Sequence, residues 1–152
     1  MTVCDFYSLA TNRGSFPGSR AGRSWSSDSD GKYKARVLVV DDEELIAESV
    51  AEILRTEGFD AIAAFSGHEA MEVTRELCPD IVLTDVLMPD MDGVETAIRI
   101  REACPKTRIL LFSGQAATSD LLERAKSKGH QFELLPKPLH PTRLIAAINR
   151  VM

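Results

Sequence analysis

The sequence predicts an α/β protein, a parallel sheet of five strands with helices on both faces. Three observations predict it. Apolar runs of strand length alternate five times with stretches of helical periodicity. Three of those runs end in polar residues suited to chemistry: Val37–Val40 leads into Asp41-Asp42, Ile81–Leu83 into Thr84-Asp85, and Ile109–Phe112 into Ser113-Gly114. A buried strand that delivers a side chain to its carboxyl end is how an open α/β sheet builds a site. Finally, Pro136 lies at the end of the fifth run, and proline in a strand belongs at a sheet edge.

The elements follow in order from Arg36. RVLVV reads as a buried strand by its length and its β-branched residues. ELIAESVAEILRTEG is a helix with Leu45, Ile46, Val50, Ile53 and Leu54 at helical spacing, and Gly58 fits its C-cap. FDAIAAF is the second strand. Ser66 with Glu69 three residues on is a capping box that starts the next helix, and Pro79 stops it. IVLTD is the third strand, and Gly93 opens a helix that turns Val94, Ala97 and Ile98 inward. RILLFSG is the fourth strand, Ser119 to Lys128 a helix that Gly129 closes, and FELL a short fifth strand. His140-Pro141 begins the last helix, with Pro141 at the first helical position, where its missing N–H costs nothing. Its inner face is Leu144, Ile145, Ile148 and Val151.

Residues 1–34 differ in kind. They are rich in Ser, Gly and Arg and show no periodic apolar face. Such a segment buries too little to offset its ordering entropy, so a disordered extension ahead of a domain over 35–152 is expected. A sharper reading makes the scattered aromatics Phe6, Tyr7, Phe16 and Trp25 a docking peptide or a covering helix. Residues 1–36 carry six basic and three acidic residues, net +3, which leaves −8 of the total −5 on the remainder. So acidic a domain is a poor partner for nucleic acid, which calls for a basic face. The three cysteines, Cys4, Cys78 and Cys104, lie far apart with no CxxC, so no disulfide framework and a reducing, cytoplasmic location are expected. No apolar run approaches the roughly 20 residues needed to span a bilayer.

The chemistry rests on four strand ends. Parallel strands place Asp41, Asp42 and Asp85 on one side of the sheet, and converging carboxylates repel unless a cation neutralises them. Hard oxygen ligands suit Mg²⁺, which takes one or two carboxylates and phosphate oxygens. Read singly, an Asp after a strand is a turn former or a helix cap. Ser113 offers a hydroxyl at a strand end, and Lys137 is a cation set between Pro136 and Pro138. Read alone, these are a turn serine and a surface lysine. Together, the four strand ends form one pocket for a phosphoryl group on Asp85. His68, His130 and His140 show no ligand pattern and read as surface or capping residues.

At these residues the sequence resembles the response-regulator receiver domain of two-component signalling. The acid pair after the first strand, the D-x-x-M-P-x-M-D-G run around Asp85, Ser-Gly after the fourth strand and Lys-Pro near the end fall in that family's order over residues 35–152. The resemblance implies a doubly wound five-stranded sheet in the order 2-1-3-4-5, the flavodoxin-like receiver fold. It implies Asp85 as phosphoacceptor, with Mg²⁺ held by Asp42, Asp85 and the Leu87 carbonyl, and with Asp41 acting through metal-bound water. Ser113 and Lys137 would contact the phosphoryl oxygens, and Lys137–Pro138 would be a cis peptide. A sensor histidine kinase or a histidine phosphotransfer protein would supply the phosphoryl group. With no output domain after Met152, signalling would pass to a downstream protein through the fourth helix, fifth strand and fifth helix, without direct contact with nucleic acid or membrane. The protein itself would not be an enzyme beyond transfer onto its own Asp and slow self-dephosphorylation.

Two departures stand out. Leu134 occupies the place three before the lysine where the family usually has an aromatic switch residue, and Phe132 lies one strand period away on the same side. Leu87, two after Asp85, would border the attacking water and slow hydrolysis. Two other functions compete with the phosphoacceptor reading. One is a phosphorylation-independent interaction module, which Leu134 favours and the intact acid set opposes. The other is a Mg²⁺-dependent phosphohydrolase, which lacks a specificity insertion and an obvious general acid.

Overall fold

Alternation of apolar side chains places the core on both sides of one sheet. The structure, a computed structural model, describes Trp25, residues 33–114 and residues 118–152. Its elements are β1 (Arg36–Val40), α1 (Glu44–Thr56), β2 (Asp60–Ala64), α2 (Gly67–Glu76), β3 (Ile81–Asp85), α3 (Gly93–Ala103), β4 (Arg108–Ser113), α4 (Thr118–Ser127), β5 (Glu133–Pro136) and α5 (Pro141–Val151). The five strands are parallel in the order β2-β1-β3-β4-β5, as the family resemblance implies, and β5 takes the edge that Pro136 indicated.

Period-two alternation divides β1 to β4 between two clusters. Leu38, Val40, Ile62, Val82, Ile109 and Leu111 face the side covered by α2, α3 and α4. Val37, Val39, Ala61, Leu83, Leu110 and Phe112 face the side covered by α1 and α5. Strands buried on both faces explain why the runs are continuously apolar. The caps also follow the sequence. Ser66 Oγ accepts from the Glu69 N–H, and the Glu69 carboxylate returns to the Phe65 N–H. Gly58 follows α1 at φ +95°, in the left-handed region open to glycine. His140 is the N-cap of α5, with Pro141 just inside.

Of the apolar positions at helical spacing in α1, Leu45 is 81% exposed, while Val50 and Leu54 are buried together with Ala47 and Ala51. The small Ala47 and Ala51 let the helix lie close on the sheet and turn Leu45 outward. Leu54→Ala should therefore cost about 2–5 kcal/mol, and Leu45→Ala should stay within about 0.5 kcal/mol, as chemical denaturation would show. The expectation of no disulfide framework is corrected, because Cys78 and Cys104 are joined. They are 26 residues apart, and only the fold brings the entry to β3 beside the exit of α3.

The expected disorder over residues 1–34 falls almost wholly outside the described residues. Trp25 is described: it is 7% exposed and belongs to the cluster beneath α2, α3 and α4. Among the described residues, no helix is long and apolar enough to cross a membrane.

Candidate functional site

Strand register assembles the acidic residues. Val40 pairs with Thr84, so Asp41, the next residue, stands across from Asp85 at the end of β3. This is the point where the strand order reverses, with chain connections leaving in opposite directions, and there the crevice opens. Asp41, Asp42 and Asp85 each place a carboxylate oxygen within 4.8 Å of the others. Asp41 and Asp85 are buried, and Asp42 is exposed. Asp41 also does what a capping residue does, since its Oδ1 accepts from the Glu43 N–H at 2.9 Å where α1 begins.

Lys137 reaches the same point from the sheet edge. Asp85 pairs with Phe112, Ser113 with Pro136, and Lys137 follows. The Lys137 N–H donates to the Ser113 carbonyl at 3.1 Å, and the Lys137–Pro138 peptide is cis. Lys137 Nζ lies 3.4 Å from Asp85 Oδ1 and 3.5 Å from Asp41 Oδ2, and 5.0 Å from the centre of the Phe112 ring. Ser113 is buried at the end of β4, one residue beyond the partner of Asp85. Leu87 is 40% exposed in the loop after β3. A cavity of about 300 Å³ lies elsewhere, between α3 and α4; its lining includes His68, Asp92 and Arg124 and none of the three clustered carboxylates.

Burial pushes the Asp41 carboxyl up to about 6, opposed by its bond from the Glu43 N–H, with the Asp85 charge pushing further up and Lys137 pulling down. Burial raises Asp85 as well, and Lys137 opposes it by its charge and by a hydrogen bond. Asp41 Oδ2 is buried with no hydrogen-bond partner, the lysine acting on it by charge alone. A buried carboxylate oxygen left open beside two more carboxylates is a donor set that fits a hard divalent cation such as Mg²⁺.

One site residue has a larger part than its place in the motif suggests. The Gly93 N–H donates to the Val86 carbonyl at 2.7 Å, and a Cβ on Gly93 would lie 1.8 Å from the Asp85 carbonyl oxygen. The end of β3 and the start of α3 therefore touch backbone to backbone. Asp92 caps that helix by accepting from the Glu95 N–H at 2.8 Å. In the sequence Gly93 marks a helix opening, and nothing local to it signals the backbone packed behind it.

A sequence-family profile described as the response regulator receiver domain matches residues 37–149. The chain belongs to the response regulator receiver family. Over 117 residues this receiver is 32% identical to the chemotaxis protein CheY of Thermotoga maritima, covering 76% of the chain and 96% of that protein. It is 33% identical to the DNA-binding response regulator MtrA of Mycolicibacterium smegmatis, but there it spans only half of the relative's length. The structure of response regulator TrrA from Thermotoga maritima, in complex with Mg(2+)-BeF, is 29% identical with a TM-score of 0.67, covering 77% of this chain and 98% of that one. Receiver domains are signalling proteins of two-component systems rather than enzymes in the usual sense.

Proposed function

We propose that the receiver accepts a phosphoryl group on Asp85 in a Mg²⁺-dependent reaction and passes the signal on through protein contacts. The observation that carries this reading is the meeting of Asp41, Asp42, Asp85 and Lys137 at the carboxyl end of β1 and β3. The donor is a histidine kinase or a histidine phosphotransfer protein. An Asp85 carboxylate oxygen attacks the phosphorus in line. The new bond is P–O to Asp85, and the bond to the donor breaks with its electron pair leaving on the donor. Lys137 Nζ already stands 3.4 Å from the attacking carboxylate, close enough to meet an equatorial phosphoryl oxygen. Ser113 donates its hydroxyl to another. Mg²⁺, when bound, neutralises charge on the phosphoryl oxygens, and Asp42, Asp85 and the Leu87 carbonyl would hold it, with Asp41 acting through its water. That the similar response regulator TrrA was solved in complex with Mg(2+)-BeF supports Mg²⁺ as the cation of this site.

The product adds about −1.5 to −2 charge beside Lys137 and Ser113. That charge draws Ser113 inward and biases α4, β5 and α5 between two arrangements. On this face Leu134 is 38% exposed. Phe132 instead packs on the core cluster beneath Arg101, so neither residue repeats the usual aromatic switch unchanged. The downstream target is a protein; direct nucleic-acid and membrane contacts are not part of this reading. The cysteines no longer support a reducing compartment. The cytoplasm remains the proposed location because a kinase works where its nucleoside triphosphate is.

Titration with Mg²⁺ tests the metal assignment. Asp42→Asn should weaken binding by about tenfold or more while leaving the fold intact, because Asp42 is exposed and has little packing to lose. Equal Mg²⁺ affinity in the variant would remove Asp42 from the ligand set.

A further inference from the structure

The chain holds a reactive group that phosphoryl chemistry does not use. Cys78 lies in the segment between α2 and β3, and Cys104 is the C-cap of α3. Their Cα atoms are 5.8 Å apart, and a disulfide joins them. The two sulfurs differ in access, since Cys78 is exposed while Cys104 is 3% exposed. We propose that this pair is a site of reversible thiol–disulfide exchange, entered through Cys78 by low-molecular-weight thiols and disulfides of the glutathione class.

Three observations support reversibility and direction. The flanking backbone is tied without the disulfide. Thr107 Oγ1 donates to the Pro79 carbonyl at 2.7 Å, the Thr107 N–H to the Cys104 carbonyl at 3.0 Å, and the Arg108 N–H to the Asp80 carbonyl at 3.0 Å. Reduction therefore leaves the two thiols neighbours, and closure stays intramolecular. Access then sets the order of events, because exchange requires attack along a path open to the external sulfur. Third, the segment closed by the bond contains the whole of β3 and α3, including Asp85. Asp85 lies at the far end of a strand about 17 Å long, so the tie acts on stability and not on the carboxylates.

The exchange balances. In the oxidising direction the Cys78 thiolate attacks one sulfur of glutathione disulfide, forming a mixed disulfide and expelling one glutathione thiolate. The Cys104 thiolate then attacks the Cys78 sulfur, forming the protein disulfide and expelling the second. The two cysteines lose two electrons and two protons, and two glutathione thiols receive them. In reduction an external thiolate attacks the accessible Cys78 sulfur, and Cys104 leaves first.

The test uses the full chain, with peptide mapping to separate these cysteines from Cys4. After reduction, native-state alkylation should label Cys78 roughly tenfold or more ahead of Cys104. Glutathione disulfide should restore a Cys78–Cys104 crosslink and raise the melting temperature by about 5–10 °C over the reduced form. Cys104→Ser should accumulate glutathione on Cys78, and Cys78→Ser should leave Cys104 unmodified over the same time. Alkylation of Cys104 as fast as Cys78, or glutathione disulfide yielding no crosslink between them, would overturn the proposal. An unchanged melting temperature on crosslinking would overturn the stabilising role of the tie.

Discussion

Gly93→Ala should lower the stability of the receiver by about 3 kcal/mol or more, a fall of roughly 10 °C in Tm. The new methyl would lie 1.8 Å from the Asp85 carbonyl oxygen, 2.7 Å from its carbonyl carbon and 2.8 Å from Val86 Cα. All three are backbone atoms, and no side chain can swing away to make room. Either the end of β3 or the start of α3 must move, and the 2.7 Å bond from the Gly93 N–H to the Val86 carbonyl breaks with it. Because Asp85 sits on that strand end, phosphoryl acceptance should fall together with stability. A variant melting within about 2 °C of the parent would show that the two elements tolerate separation.

The second large effect is a dependence of stability on pH in the absence of Mg²⁺. Asp41 is buried, and its carboxyl is raised from 3.8 to about 6 in the fold. Between those values the native state keeps a proton that the unfolded chain has released. The slope of stability against pH is then negative. The favourable contribution is full below pH 3.8 and is lost as pH rises through 6. One such group corresponds to about 3 kcal/mol, and burial of Asp85 acts in the same direction. Denaturation in a chelator should show the loss between pH 3.8 and about 6, with little further change above, and Asp41→Asn should flatten it. Mg²⁺ at 100 times its dissociation constant should restore about 2.7 kcal/mol at the higher pH. An equal slope in Asp41→Asn would locate the pH dependence elsewhere.

What the sequence revealed depended on how local each signal is. Strands buried on both faces show as apolar runs, so Val37–Val40 and Ile81–Leu83 could be read directly. The capping pair Ser66 and Glu69 and the helix start at Pro141 depend on neighbours in the chain and were equally legible. The strand order and the cis peptide follow only from the family resemblance, because nothing local encodes how distant strands pair; the meeting of Lys137 with Asp85 is already suggested by strand ends that share one side of the sheet. Helical spacing identifies a stripe in α1 without fixing its edge: Leu45 lies outside the buried face, which Ala47 and Ala51, too small to stand out by hydrophobicity, help define. The Cys78–Cys104 bond was invisible, because a separation of 26 residues carries no motif. Gly93 was seen as a helix opening, and only the packed backbone shows that nothing larger fits.

The central claim is that Asp85 accepts the phosphoryl group. Its most direct test is the intact mass of the protein after incubation with Mg²⁺ and a small acyl-phosphate donor, beside Asp85→Ala. A single phosphoryl adduct on the parent protein, removed by hydroxylamine and missing from Asp85→Ala, is the expected result. An adduct that persists on Asp85→Ala would contradict it.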